Sequence, residues 1–410
     1  MKNSGIEWQE EIQKEIPFIE SLPKNWRLIP NRWLFKEDGN KVGADWAKYQ
    51  LLSLTTTGVK ERNIDDVGGK VPTSYDNYQT VKKGQMIFCL FDLDCSAVFS
   101  GISKYNGMIT SAYDVFSSTD LITNNYIDYW FRYVFSNRYY MMYSKNIRYS
   151  VTSDIFKGLK TPVPPITEQQ KIAEILDEKC GKIDKLIENE QKQIEKMKEY
   201  KQSVITSAVT KGLDKSALMK DSGNDYIGNI PKHWESIKIK YICSMQAGKN
   251  LISEQISPMG DYPVYGGNGL RGYFGEYNYE GVCLLVGRQG ALCGNVHHVE
   301  GKFWATEHAV ITKPKTGVYL RYLFYLLIGA NLNLYVSPTA AQPGLSVNSV
   351  QNIILCKAPI KEQQQIVDYL DEKCGKIDEV ISIKQRKIEK LQEYKKSLIY
   401  EYVTGKKEVV

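Results

Sequence analysis

The sequence predicts an α+β protein. It has two domains of mixed short strands and helices, separated by two long antiparallel coiled-coil helices with pseudo-twofold symmetry. Three observations predict this. The nine residues LDEKCGKID occur at 176–184 and again at 370–378. Around each copy lies a gapless 46-residue segment in which apolar residues recur at helical spacing and more than half the positions match. Between these segments, short β-type runs alternate with Gly-rich turns. At 410 residues the chain is also too long for one ordinary core.

The expected order is an N-terminal segment and first domain at 1–164, a first long helix at 165–212, a second domain at 213–358 and a second long helix at 359–410. In the first domain MIFCLF (86–91) reads as a buried strand, and the Tyr-rich run from Tyr126 reads as a helix. Pro165 opens the first long helix and Glu168 sits in its first turn, where a carboxylate complements the helix dipole. Ile172, Leu176, Ile183, Leu186, Ile194, Met197 and Val204 form its apolar seam. In the second domain GVCLLVG (281–287) reads as a strand and the run from Tyr319 as a helix. Pro359 and Glu362 then repeat the helix start, and Ile366, Leu370, Ile377, Val380, Ile388, Leu391 and Leu398 repeat the seam. Helices of about 40 residues are roughly 60 Å long, which favours coiled-coil pairing. The expected register sets Ile194 beside Leu391, Met197 beside Ile388 and Glu190 opposite Lys395. Gly181 and Gly375, at one repeat position, mark a break or a close helix approach.

The domains echo each other more faintly. LPKNW (22–26) matches IPKHW (230–234), YIDYWF (126–131) matches YLRYLF (319–324), and SVTS (150–153) matches SVNS (346–349). The skeletons are therefore expected to agree while the loops differ. The linker that follows the first helix has no counterpart after the second and is resumed at the N-terminus, so the ends of the chain are expected to lie together.

Composition narrows the class. With 42% hydrophobic and 24% charged residues the chain is globular rather than disordered. A net charge of +6 hints at an anionic partner, and 28 tyrosines suit a polar interface. The eight cysteines form no C-x-x-C pair, and no signal peptide is seen, so they read as reduced thiols and the expected localisation is cytoplasmic. The most apolar window, from Tyr319, carries Arg321, Asn331 and Asn333 and reads as a buried helix, not a membrane span.

The paired P-I-x-E-Q-Q helices, DSGNDYIGNIPKHW (221–234), YPVYGGNGLRGYFGEYNYEG (262–281) and VGRQGALCGNVHHVEGKFWATEHAVI (286–311) together resemble the DNA-specificity subunit of type I restriction–modification systems. The resemblance spans essentially the whole chain, and residues 1–20 depart from it. It implies two target-recognition domains, each reading half of a bipartite duplex DNA target, with the long helices as spacer. It implies no catalysis and no cofactor in this chain. Partners would be duplex DNA, two methyltransferase (modification) subunits and usually two restriction (motor-nuclease) subunits, and those subunits would carry S-adenosylmethionine, ATP and Mg. Glu168, Gln169 and Gln170 with Glu362, Gln363 and Gln364 would dock the methyltransferase subunits.

An internal twofold matches the backbone dyads of duplex DNA, and unlike domains predict an asymmetric target. Base-edge chemistry supplies candidate readers, since Arg pairs with guanine and Gln or Asn with adenine. In the second domain these are Lys249, Arg271, Arg288, Gln289, His297 and Gln342. In the first they are Lys60, Arg62, Lys145, Asn146, Arg148 and Tyr149. Some of them would touch phosphates alone.

Several motifs mislead. GGNGLRG contains G-x-G-x-x-G but lacks a following helix, so it reads as a Gly-rich turn. Cys283, Cys293, His297, His298 and His308 fit no zinc spacing, and no metal site is expected. Val163-Pro164-Pro165 lacks the polar start and aromatic end of an amino-methyltransferase signature, and GGKVPTS at Gly68 is no P-loop. Glu300-Gly301-Lys302 reads as a turn between strands. An enzyme is thus disfavoured, and the alternative to a DNA reader is a coiled-coil adaptor whose variable domains bind protein.

Overall fold

The computed structural model describes residues 5–56, 58–64, 74–96, 99–144, 149–289, 293–335 and 344–409. The two long helices are Ile166–Lys211 and Ile360–Val403, 46 and 44 residues, or about 65–70 Å at 1.5 Å per residue. Contacts divide the chain into two compact units, Met1–Asn189 with Lys387–Val410, and Glu190–Arg386. Each unit therefore holds one domain and part of both long helices.

The seam is built as its spacing requires. In the first unit Ile172, Leu176, Cys180 and Ile183 share a core with Leu398, Ile399, Tyr402 and Val403, and with Tyr126, Trp130 and Phe131 of the helix Asn124–Ser136. In the second, Ile205, Ala208 and Val209 share a core with Ile366, Val367, Leu370 and Cys374, and with Tyr322 and Leu323 of the helix Leu320–Gly329. Two seam residues fall outside this pattern. Leu186 and Val380, equivalent in the repeat, are exposed, and in the first unit Ile187 packs against the core instead. A step of four from Ile183 stays on the buried stripe better than a step of three.

The helices run antiparallel within each unit, but not in the expected register. Lys395 meets Asp184 at 2.6 Å rather than Glu190, a shift of six residues. The equivalent pair, Lys201 with Asp378, closes at 2.7 Å in the second unit. Glu190 meets Lys384 at 2.9 Å, and Lys384 also donates to Gln193. An apolar seam alone accepts several registers, and the charges select among them. Positions 190 and 384 are the same position of the repeat. Here the repeat faces itself, so identical residues would set like charges together with Glu190 buried. Gly181 and Gly375 mark neither a break nor a close approach: both helices run through, and a Cβ at either site would meet nothing within 4 Å.

Each domain is clamped to the start of one long helix by the same residues. The buried amide of Gln169 donates to Leu121 O and Pro164 O, at 3.0 and 2.9 Å, and accepts from Thr123 N at 2.8 Å. Gln363 repeats this with Gly317 O, Ala358 O and Tyr319 N. Glu168 accepts from Trp26 Nε1 and Asn25 Nδ2, and Glu362 from Trp234 Nε1, with His233 Nε2 at 2.7 Å. Tyr129 Oη donates to Asp177 and Tyr325 Oη to Asp371. The LPKNW and IPKHW repeats thus supply the tryptophans that read the first-turn glutamates. Each long helix also ends at a left-handed glycine under one of those rings: Gly212 (φ +71°) against Trp234 and Gly405 (φ +66°) against Pro23 and Trp26. With the Lys406–Glu20 ion pair at 2.6 Å, this brings the last turns of the chain to its N-terminal segment, as expected.

The shared skeleton is a pair of strands at the root of each domain. Arg27–Pro30 pairs antiparallel with Lys160–Val163, and Glu235–Lys238 with Ile354–Lys357. A short helix precedes the closing strand in each, capped by the side chains of Thr152 and Ser346. The motif match SVTS/SVNS is therefore two residues out of step, since the caps keep the 194-residue offset of the long helices. Beyond the skeleton the domains differ in more than loops. The first has a four-stranded antiparallel sheet and two separate ribbons. Among the described residues the second has one six-stranded sheet, in which Tyr262–Gly266 and Val296–Ala305 pair in parallel and the other neighbours antiparallel. The N-terminal departure is a helix, Gly5–Glu15, where the second unit has the hairpin Met219–Asp221 with Asn229–Pro231.

Reversing one charge of the midpoint pair should be costly, because it leaves like charges in a partly buried site. Lys384→Glu alone is expected to lose about 3–5 kcal/mol of stability in denaturant unfolding. Glu190→Lys combined with Lys384→Glu should recover most of it.

Candidate nucleic-acid interface

In the second domain three chain segments cross at one end of the six-stranded sheet, and the crossing demands glycine. A Cβ at Gly287 would lie 2.0 Å from Gly267 O, and one at Gly267 would lie 3.1 Å from His308 O and 3.4 Å from Gln289 O. The G-x-G-x-x-G stretch is the turn and second strand of a hairpin: Gly269 and Gly272 lie in the strand Gly269–Phe274, which pairs antiparallel with Tyr262–Gly266. Gly-rich sequence here buys close backbone approach, and the side chains beside it are polar.

Five of the sequence-derived readers gather at this crossing. Arg288 N donates to His308 O at 3.0 Å and its carbonyl accepts from Leu345 N at 2.8 Å. The Arg288 backbone is thereby fixed, while Nε is buried without a partner among the described residues. Gln289 bridges to Gly344. Arg271 lays its aliphatic stem against Gly266 and reaches Ser253 Oγ at 3.4 Å. Lys249 is exposed, with its backbone held by Ala305 O and by Trp304 Nε1. The His297 ring lies 3.4 Å from where a Gly269 Cβ would be, with Nε2 buried and without a partner among the described residues. Burial lowers the His297 pKa, so it acts as a neutral ring at pH 7. His308, weighed in the sequence only as a metal decoy, joins the same crossing and pairs with Glu307 at 3.0 Å. Gln342 lies outside the described residues.

Cys283 and Cys293 do not meet. They pack in separate hydrophobic clusters, and burial raises both thiols. Glu300-Gly301-Lys302 is not a turn between strands but lies within the strand Val296–Ala305.

The first domain gathers its candidates less tightly. Lys60 is exposed on the strand Gly58–Glu61, opposite Ser53. Arg62 continues that strand, with its N donating to Leu51 O and its carbonyl accepting from Gln50 Nε2, both at 2.8 Å. Tyr149 sits elsewhere, at left-handed φ (44°), with its carbonyl accepting from Leu93 N. Lys145, Asn146 and Arg148 lie outside the described residues. Sequence reading missed Lys41, Lys48 and Lys82, which come together around a surface cavity of about 530 Å³. They lie on separate segments, brought together by the pairing of Gln79–Val81 with Gly107–Ile109 and by the bridges of Lys41 to Gln79 and of Leu51 to Met108.

Of the expected docking residues, Gln169 and Gln363 are fully buried and spent on the clamps, and Glu168 and Glu362 hold the tryptophans. Gln170 and Gln364 are exposed, Gln364 donating to Asp368 at 2.8 Å. No helix among the described residues is long and apolar enough to cross a membrane.

The protein is of the class in which a repeated helix frame carries two unlike domains, one with a polar, cationic Gly-rich crossing. A family model described as the type I restriction modification DNA specificity domain matches residues 94–198 and 231–393, and the chain belongs to that family. The type I restriction enzyme EcoprrI specificity subunit of Escherichia coli is 41% identical over 150 residues, 35% of this chain and 37% of that protein. The MjaVIII specificity subunit of Methanocaldococcus jannaschii is 26% identical over 291 residues, 62% of this chain and 64% of that protein. The chain thus matches between about a third and two thirds of the length of these curated relatives. Among solved structures, a chain from "Structural basis underlying complex assembly and conformational transition of the type I R-M system" shares the fold. It aligns over 94% of this chain and 99% of that one, at a TM-score of 0.66 and 13% identity.

His297 supplies a pH test. Its folded-state pKa lies below the unfolded value of about 6.5, so the unfolded chain binds the proton more readily. The stability this residue supports is present above that pH and is lost as pH falls. The thermal midpoint should fall as pH drops below about 6.5, and His297→Asn should flatten that fall.

Proposed function

We propose that the chain is the non-catalytic DNA-specificity subunit of a type I restriction–modification assembly and reads a bipartite, asymmetric duplex target, one half with each domain. The observation that carries this is the convergence of Lys249, Arg271, Arg288, Gln289 and His297 on the Gly-rich crossing. Guanidinium, amide and imidazole groups on a rigid backbone are what base edges require. The repeated helix frame holds the two unlike readers, which gives one molecule two specificities. Two adenine-methylating subunits and two motor-nuclease subunits would be its partners. They would bring S-adenosylmethionine, ATP and Mg, and the surfaces around Gln170 and Gln364 would serve docking.

The test is duplex binding by the chain with its methylating partner. Affinity should fall steeply with salt, because phosphate contacts release counterions. Arg288→Ala should cost about 1–3 kcal/mol and relax the preference at one base pair. Binding without salt dependence would favour a protein-binding adaptor instead, and an unchanged target preference would remove Arg288 from the readers.

A further inference from the structure

The cavity in the first domain is built from four segments. Its wall includes the antiparallel pair Gln79–Val81 and Gly107–Ile109, and residues Gln50 and Leu51 lie against the latter. Gly107 is forced there, since its Cβ would lie 2.3 Å from Gln50 O. Around this backbone stand Lys41, Lys48 and Lys82, all exposed, with Gln50 and Asn106 beside them; Lys41 Nζ reaches Asn77 Oδ1 at 3.5 Å, a long bond at an exposed site. No carboxylate is among the described residues that line it. Lys48 pairs with Asp45 at 2.6 Å, but both side chains are mostly in water, where such a pair is weak and exchangeable. Lys48, Tyr49 and Gln50 also border a second cavity of about 760 Å³, which Arg62 lines. The two depressions share Lys48, and the second also carries Glu61 beside Arg62, so the carboxylate-free lining belongs to the first.

Three ammonium groups around a concave polar surface repel one another unless an anion enters. Lysine acts as a point charge on a flexible stem, which suits phosphate oxygens better than the planar pattern of a base edge. We infer that this cavity takes the phosphodiester backbone of duplex DNA, with Lys41, Lys48 and Lys82 as positioning contacts that carry no sequence information. The inference rests on the proposed DNA-reading function and adds the place where the first domain grips the backbone. It also gives the first domain a division of labour, with backbone held at the cavity and bases left to other side chains.

The test compares, each assembled with its methylating partner, the full chain, Lys41→Ala/Lys48→Ala/Lys82→Ala and the charge-preserving triple Arg variant. Two duplexes are used, one bearing the methylation target mapped in the host genome and one with that target scrambled. For the Ala variant, the slope of log affinity against log salt should fall by about 2–3. Both duplexes should be weakened by the same factor, so the preference for the target is unchanged. The Arg variant should keep the wild-type slope. An unchanged slope in a folded Ala variant would overturn the inference while leaving the DNA-reading function standing. A selective loss of preference for one half of the target would overturn it too, since the lysines would then read bases. Failure of the wild-type chain to bind either duplex would remove the function and this inference together.

Discussion

The structure depends on a buried side-chain amide used twice. Gln169 and Gln363 each satisfy one backbone N–H and two backbone carbonyls where a domain meets its long helix. Such groups are expensive to bury unpaired, so the joint closes only in one geometry. Around each amide the same helpers recur: a glutamate held by a tryptophan, an aspartate by a tyrosine, and a left-handed glycine beneath the tryptophan ring. Domains with different sheets can be mounted on the same frame because the frame specifies the joint and the rest of each domain is free to vary.

Repetition has one awkward point. Where an antiparallel pair of equal helices meets its own midpoint, each position faces its equivalent. Away from it the repeat pairs Asp184 with Lys395 and Asp378 with Lys201, and identical copies serve both. At the midpoint they cannot, and there the copies hold Glu190 and Lys384. Divergence of the two copies at this position thus replaces a partly buried repulsion with an ion pair.

Much of the frame was legible in the sequence because a repeat reports its own boundaries. The long helices, their apolar seam, the two domains and the meeting of the chain ends all follow from it. The register was not legible, since a 3.5-residue seam fits several offsets and the charge choosing among them shows only when Lys395 is seen beside Asp184. Leu186 and Val380 misled for a related reason: both are apolar at helical spacing, and only packing shows Ile187 inside. The Glu-Gln repeat was legible as important, but the burial of Gln169 and Gln363 was not, because a buried amide and an exposed one look alike in one dimension. In the second domain the candidate readers lie close to glycines in the sequence, so the crossing left a signal. The lysine cavity left none, since four separate segments build it.

The central claim is that one frame carries two independent readers. Replacing residues 25–160 with the corresponding domain of another family member, in the assembled methylating complex, and then mapping methylated adenines tests it directly. The account predicts a target in which one half is new while the other half keeps its bases. A target altered in both halves would contradict it, because the domains would then read as one surface.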